Sequence, residues 1–120
     1  MLGLRTVIYH VSDVEAAKLW YEKVTGIKPY FDQPFYVGFN VGGYELGLHP
    51  SEGTTDGRTA NVVAYWGVDD LQKEYKRLLS LGAKEHEAPQ DVGENIVVAA
   101  VKDPWNNVFG LIYNPHFKLD

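Results

Sequence analysis

A pattern of strand, helix and glycine occurs twice in this chain, and the repeat limits the possible folds more than any other feature of the sequence. The clearer copy is ANVVAYWGVDDLQKEYKRLLSLG, residues 60–82, and a looser copy is LRTVIYHVSDVEAAKLWYEKVTG, residues 4–26. Each copy reads as a β-branched or aromatic strand, then a capped amphipathic helix, then a glycine that stops the helix. A length of 120 residues suits one domain. The repeat therefore predicts one domain made of two similar halves.

The first half predicts a helix followed by three strands. Ser12 and Glu15 have the spacing of a capping box, and Gly26 stands where a left-handed residue ends a helix. Gly42 and Gly43 are typical of a hairpin turn. The strands are predicted over residues 5–11, 27–31, 35–41 and 44–49, with a turn over residues 32–34.

The second half repeats this order. Asp69 with Gln72 forms a second cap of the same design, and Gly82 stops the helix. The strands are predicted over residues 61–66, 83–87, 96–101 and 108–113, with a loop over residues 89–94. The fold class is therefore α+β: two βαβββ modules in tandem, with curved antiparallel sheets around a shared cavity. Module one covers about residues 1–49, the linker 50–59, and module two 60–120.

Composition excludes several functional classes. The chain has 11 Lys and Arg against 16 Asp and Glu, a net charge of −5, so no nucleic-acid partner is expected. There is no cysteine, which excludes thiolate metal sites and a cysteine nucleophile. No apolar run is long enough to span a bilayer and no signal peptide is visible, so no membrane partner is expected and the location is predicted to be cytoplasmic.

Three motifs, taken in order, resemble the vicinal oxygen chelate superfamily, which contains glyoxalase I, extradiol dioxygenases, and fosfomycin and bleomycin resistance proteins. They are VSD leading into WYEKVTG at residues 11–13 and 20–26, VDDL leading to LGA at 68–71 and 81–83, and DPWNN at 103–107. In that family the last turn usually reads Asp-Pro-Asp/Glu-Gly-Asn. This chain departs from it at Trp105 and Asn106.

The resemblance implies a divalent metal held by His or Glu at four strand positions. In this chain those positions are Thr6, Gly47, Val63 and Gly110. Only Thr6 carries a side-chain oxygen, and it is a poor ligand for such a metal. The sequence therefore predicts that the family's metal site is absent and that no cofactor is bound.

A displaced metal site is an alternative. His10, Glu45 and His49 share the strand parity of Thr6 and Gly47, so they could converge on the cavity side. Such a site would serve a metal-dependent, glyoxalase-like lyase or a dioxygenase. The competing interpretation is structural, because His10 lies at the end of a strand and His49 where the linker begins.

The remaining candidates are side chains and gaps that could form a ligand surface. Tyr65 is predicted to point inward, the glycines to make room, and the Trp side chains to stack on a flat ligand. The competing interpretation packs these aromatics under the helices or across a dimer interface. The predicted ligand-binding residues are Thr6, His10, Phe39, Gly47, His49, Tyr65, Trp66, Trp105 and Gly110.

Together these features predict a metal-free small-molecule-binding protein. Bleomycin resistance proteins show what the resemblance implies, namely sequestration of a drug or metabolite by a homodimer without catalysis. The main alternative is the metal-dependent lyase or dioxygenase, and a third hypothesis is a structural or regulatory dimer without a ligand.

Overall fold

The computed structural model describes residues 4–51 and 63–117 of the chain. The chain divides into two compact units, Met1–Arg58 and Thr59–Asp120. Most of the predicted linker, and the predicted strand residues Asn61 and Val62, lie outside the described residues. Each unit contains one strand, one helix and three further strands, in the predicted βαβββ order.

The first unit is a four-stranded sheet with one helix. Its elements are β1 (Thr6–Val11), α1 (Val14–Thr25), β2 (Phe31–Gln33), β3 (Tyr36–Val41) and β4 (Tyr44–Pro50). The strand order is β1-β4-β3-β2. β1 runs parallel to β4, whereas β4 and β3, and β3 and β2, are antiparallel. The sheet is therefore mixed, and the antiparallel sheet predicted from the sequence is wrong in this respect.

The second unit has the same topology. Its elements are β5 (Tyr65–Gly67), α2 (Leu71–Ser80), β6 (Lys84–Asp91), β7 (Val97–Lys102) and β8 (Val108–Tyr113). The order is β5-β8-β7-β6, and β5 is parallel to β8. In both units a helix and two strands separate the parallel pair, and a long connection of this kind is what parallel pairing requires. The prediction of two βαβββ modules is confirmed.

Three strands differ from their predicted bounds by more than one residue. β5 covers Tyr65–Gly67, whereas the strand was predicted over residues 61–66, so Val63 and Ala64 lie before it. β2 begins at Phe31 rather than residue 27 and occupies the predicted turn, because its pairing with β3 starts where Tyr30 N–H donates to the Gly38 carbonyl. β6 runs through Pro89 into the predicted loop. Its register with β7 shifts twice between Glu85 and Gln90. Such irregularities let an edge strand contain a proline, which cannot donate to the ladder.

Both helices begin one residue later than the capping boxes predict. The α1 N-cap is Asp13, whose carboxylate accepts from Ala16 N–H at 3.0 Å. The α2 N-cap is Asp70, which accepts from Lys73 N–H at 3.1 Å. In each case an aspartate carboxylate accepts a hydrogen bond from the backbone N–H of the third helical residue. The prediction had placed the N-cap one residue earlier, at Ser12 and at Asp69. Gly26 ends α1 with φ of 75°, as predicted.

The cap position can be tested by a matched pair of variants. Asp13→Ala is expected to lower the free energy of unfolding by about 1 kcal/mol, because an N-terminal backbone N–H of α1 loses its acceptor. Ser12→Ala removes a neighbouring exposed hydroxyl and should change it by less than about 0.5 kcal/mol. Urea unfolding followed by circular dichroism measures both. Equal losses, or a larger loss for Ser12→Ala, would return the cap to Ser12.

One face of each sheet packs against its helix. In the first unit the rings of Tyr9 on β1 and Tyr21 on α1 stack with centroids 5.9 Å apart. In the second unit Tyr75 on α2 lies beside Glu85 on β6. Burial is the larger cause and the Glu85 carboxylate the smaller one of a rise in the pKa of Tyr75 to about 12. Neither α1 nor α2 has the length and apolar character needed to cross a bilayer. The buried sheet residues on the helix sides are Tyr9, Val11, Val37, Phe39, Leu46, Leu48, Ala99, Val101, Phe109 and Leu111.

The turn between β7 and β8 is built on a buried carboxylate. Asp103 is only 2% exposed, and it accepts from Trp105 N–H at 2.9 Å, Asn107 N–H at 2.8 Å and Asn107 Nδ2 at 3.0 Å. Asn106 has φ of 71°, a left-handed conformation that asparagine tolerates better than most residues. This is the position at which the resembling family usually has glycine, so the asparagine departure preserves the turn.

Candidate functional site

The first sheet has a second face, opposite α1, which we call the helix-free face. The parallel register of β1 and β4 places Thr6 opposite Glu45, Ile8 opposite Gly47, and His10 opposite His49. β3 adds every second residue beside β4. Strand alternation thus places these side chains and glycines on one surface: Thr6, Ile8, His10, Tyr36, Gly38, Asn40, Glu45, Gly47 and His49.

At the centre of this face the Glu45 carboxylate accepts hydrogen bonds from three hydroxyl groups. Thr6 Oγ1 donates to Oε1 at 2.7 Å, and the Tyr36 hydroxyl donates to the same oxygen at 2.6 Å. The Tyr30 hydroxyl donates to the other oxygen, Oε2. We refer to Thr6, Tyr30, Tyr36 and Glu45 as the Glu45 cluster. It joins β1, β3, β4 and the residue just before β2 into one polar site.

Two glycines make room for the cluster. A Cβ atom on Gly47 would lie 2.0 Å from the Tyr36 hydroxyl oxygen, so the tyrosine ring lies across this position. A Cβ atom on Gly38 would lie 2.9 Å from Glu45 Oε2 and 3.2 Å from Tyr30 Cε1. The sheet surface under the cluster therefore lacks the two side chains that would prevent its assembly.

Hydrogen bonding fixes the charge of the cluster. The hydroxyls of Tyr30 and Tyr36, with Thr6, lower the pKa of Glu45, although partial burial opposes them. The bond to Glu45 raises the pKa of Tyr30, and burial followed by the same carboxylate raises the pKa of Tyr36. At neutral pH the site therefore contains one carboxylate anion and two protonated phenols.

The two histidines of the predicted alternative site are neighbours. The rings of His10 and His49 lie with centroids 5.2 Å apart, and His49 Nδ1 is hydrogen-bonded to the Pro50 carbonyl at 2.8 Å. Glu45 precedes His49 by four strand residues, a separation of about 13 Å along β4. Its oxygens are held by the three hydroxyls. In residues 4–51 and 63–117, no group of three or more His, Cys, Asp or Glu side chains is arranged to hold a metal ion.

The other predicted ligand-binding residues lie in three kinds of place. Phe39 is 0% exposed and packs on the α1 side of the first sheet, away from the helix-free face. In the second sheet Tyr65 pairs with Gly110, and its ring lies where a side chain at Gly110 would be. Trp66 points to the other side of β5 and stacks on Phe109, with centroids 6.2 Å apart. Trp105 is half-buried in the turn after β7.

The structure therefore brings together only part of the predicted set. Thr6, His10, Gly47 and His49 share the helix-free face of the first sheet, and Tyr65 and Gly110 share the corresponding face of the second. Phe39 and Trp66 belong to the opposite, helix-facing sides.

Sequence reasoning missed the two tyrosines of the cluster. Tyr36 carried a usable signal, because it alternates with Gly38 and Asn40 on β3. Tyr30 did not, because it precedes β2 and follows no strand alternation. Glu45, the one carboxylate in the strand YELGLHP, was the other available sign of a polar site.

Comparison with protein-family models gives the same family as the sequence motifs. The family model described as the Glyoxalase/Bleomycin resistance protein/Dioxygenase superfamily matches residues 3–111 of the chain. No match was found among curated proteins.

Solved structures show the same fold at low sequence identity. A glyoxalase-related enzyme from Fulvimarina pelagi superposes with a TM-score of 0.79 at 16% identity, covering 100% of this chain and 94% of that chain. Fosfomycin resistance protein FosX from Mesorhizobium loti gives 0.75 at 18% identity, covering 97% and 95%. FosX from Listeria monocytogenes gives 0.78 at 14% identity, covering 97% and 96%.

Proposed function

Because this chain belongs to the glyoxalase/bleomycin resistance protein/dioxygenase superfamily, we propose that it binds a small organic molecule on the helix-free face of its first sheet. The observation that carries the proposal is the Glu45 cluster, a charged carboxylate with three hydroxyl donors assembled over two glycines. A few convergent polar groups on a partly apolar surface are typical of ligand sites. Exposed Ile8, beside the cluster on β1, supplies apolar surface.

The proposed binding needs no metal. Of the four positions at which the family resemblance places ligands, Gly47 is covered by Tyr36 and Gly110 by Tyr65. Thr6 uses its hydroxyl to donate to Glu45, and Val63 has no donor atom in its side chain. The proposed activity is therefore sequestration of a drug or metabolite by a cytoplasmic homodimer, without catalysis. The fosfomycin resistance proteins among the structural relatives favour including antibiotics in the first ligand screen.

Protein-observed NMR with a fragment and antibiotic panel tests the site. We expect bound compounds to shift the amide signals of Gly38, Glu45 and Gly47 first. Tyr36→Phe removes a hydroxyl from the cluster and should weaken binding several-fold. Tyr44→Phe removes a hydroxyl from the opposite face of β4 and should leave binding unchanged. Ligands that shift only amides elsewhere, or a panel in which nothing binds, would contradict the proposal.

A metal-dependent lyase or dioxygenase is the second candidate, and the adjacent rings of His10 and His49 favour it. Titration with Zn²⁺ and Co²⁺ by calorimetry distinguishes the two functions. Our proposal expects no stoichiometric binding at micromolar metal. Stoichiometric binding that is lost in His49→Ala and kept in His86→Ala, an exposed histidine in the second unit, would establish the metal-dependent function instead.

A further inference from the structure

We infer that the ligand of the Glu45 cluster is an organic cation, specifically a protonated amine whose N–H donates to Glu45 Oε2. This inference rests on the proposed function, since it names the chemical class that the same site would take. It is carried by three properties of the described residues: the charge of the carboxylate, its remaining hydrogen-bonding capacity, and the aromatic side chains around it.

The first property is the negative charge of Glu45, which forms no ion pair with a cationic side chain among residues 4–51. Three hydroxyls stabilise Glu45, but they are neutral and leave its negative charge in place. Two lysines of this unit, Lys18 on α1 and Lys28 before β2, are paired with other carboxylates. Lys18 Nζ lies 3.0 Å from Glu15 and 3.1 Å from Asp32, and Lys28 Nζ lies 2.8 Å from Glu22. None of the ion pairs found among residues 4–51 and 63–117 includes Glu45.

The second property is an unused acceptor direction. A carboxylate offers about four lone-pair sites, two on each oxygen. Oε1 accepts from Thr6 and Tyr36 and is filled, whereas Oε2 accepts from Tyr30. One acceptor direction therefore remains on Oε2. An ammonium N–H supplies both a donor for that direction and a positive charge, and such charge-assisted bonds are stronger than neutral ones.

The third property is a set of aromatic rings beside the carboxylate, three exposed and Tyr36 half-buried. We call this set the aromatic rim: Tyr30, Phe31, Phe35 and Tyr36. The Phe31 ring lies with its centroid 6.1 Å from that of Phe35 and 6.2 Å from that of Tyr36. Tyr30, Phe31 and Phe35 are 63%, 38% and 64% exposed. Aromatic faces attract cations, and large apolar side chains left in water are typical of a binding surface.

The Glu45 carboxylate and the aromatic rim both favour a positively charged ligand. A carboxylate repels anionic ligands, and aromatic faces are also negative. A neutral ligand could use the rings and donate to the free acceptor direction, but it would lack the attraction between two opposite full charges. The net charge of −5 for the whole chain acts in the same sense at longer range.

The test uses three ligands with the same ring and different charge: benzylamine, benzyl alcohol and benzoate. Affinities are measured near neutral pH from NMR shifts of the Gly38 and Gly47 amides. We expect benzylamine to bind about tenfold more tightly than benzyl alcohol, and benzoate to bind most weakly. Raising the salt concentration should weaken benzylamine binding and leave benzyl alcohol unaffected.

Variants then assign the effect to the cluster. Glu45→Gln keeps the size and an acceptor oxygen but removes the charge, so the preference for benzylamine over benzyl alcohol should disappear. Glu87→Gln removes the same charge from an exposed position on β6 in the second unit, and should preserve the preference. Phe35→Leu, at an exposed position where folding is not at risk, should weaken benzylamine binding several-fold. A preserved amide spectrum for each variant excludes unfolding as the cause.

The outcomes separate this inference from the proposed function. If neutral or anionic compounds bind at the Gly38 and Gly47 amides as tightly as benzylamine, the proposed function stands and the inference of a cation is overturned. The same follows if Glu45→Gln retains the preference for benzylamine. If neither the three ligands nor the wider panel binds at this face, the proposed function itself fails.

Discussion

Replacing Gly110 with alanine is expected to lower the free energy of unfolding by about 1–3 kcal/mol, a typical loss for overpacking. The added Cβ atom would lie 2.7 Å from the Ala64 carbonyl oxygen and 2.7 Å from Tyr65 Cδ1. The Ala64 carbonyl cannot simply withdraw, because it accepts the hydrogen bond from Gly110 N–H at 3.0 Å. The methyl group would therefore displace the residue that leads into β5 and break part of the β5–β8 pairing.

Gly67→Ala is the matched control on the same two strands. Gly67 lies two residues after Tyr65 on the same face of β5, and a Cβ atom there would meet nothing within 4 Å. Its stability should stay the same or rise slightly, because alanine restricts the unfolded chain more than glycine does. Urea unfolding of both variants provides the measurement. Equal midpoints would show that the crowding at Gly110 carries no energetic penalty.

Asp103→Ala is expected to destabilise the chain by about 2–4 kcal/mol. The substitution leaves Trp105 N–H, Asn107 N–H and Asn107 Nδ2 without the carboxylate that accepts from all three. A buried donor without an acceptor costs about 1–3 kcal/mol, and bonds to a charged group are at the upper end of the range for hydrogen bonds. Asp103→Asn keeps one acceptor oxygen and should lose less than Asp103→Ala.

The control for this prediction is Asp91→Ala, at the end of β6. Asp91 is exposed and its carboxylate accepts from a single backbone group, Gly93 N–H at 2.8 Å. Water can replace that acceptor, so Asp91→Ala should lower the free energy of unfolding much less than Asp103→Ala does. Thermal unfolding by calorimetry measures both changes. A loss for Asp103→Ala no greater than that for Asp91→Ala would mean that the turn holds its shape without the buried carboxylate.

Local signals in the sequence predicted the elements of the fold well. The last strand was predicted over the residues it occupies, 108–113, and the Gly42–Gly43 hairpin forms with φ of 61° and 95°. Each of these features depends on neighbouring residues alone: an apolar run before the tail, or two residues that tolerate positive φ. The three motifs at residues 11–26, 68–83 and 103–107, in their order and duplication, then carried the resemblance to the family.

Pairing between distant strands could not be predicted in the same way. Thr6 meets Glu45 across 39 residues of chain, and no local pattern specifies that β1 lies parallel to β4. The prediction of the two N-cap residues was wrong for a different reason. Ser-Asp and Asp-Asp each offer two adjacent candidates, and only the geometry of the first turn selects the second one.

In the candidate site, too, local patterns were predictable and contacts between distant residues were not. Strand parity predicted that Thr6, Glu45, Gly47 and His49 share a face. It did not predict that Glu45 is held by hydroxyls rather than joined to the histidines, because that depends on where side chains from β3 and the residue before β2 reach. Phe39 shows the converse limit, since an aromatic residue on a strand has equal reason to face a ligand or the core.

The position of Tyr36 over Gly47 also has an evolutionary consequence. The phenol occupies the volume that any side chain at residue 47 would need. A histidine or glutamate introduced there, where the family resemblance places a metal ligand, would first collide with the tyrosine. A side chain at residue 47 therefore requires at least two changes, one at each position, and either change alone would disrupt the Glu45 cluster. Positions 36 and 47 should therefore vary together in descendants of this chain, with a side chain at residue 47 found only where residue 36 is smaller than tyrosine.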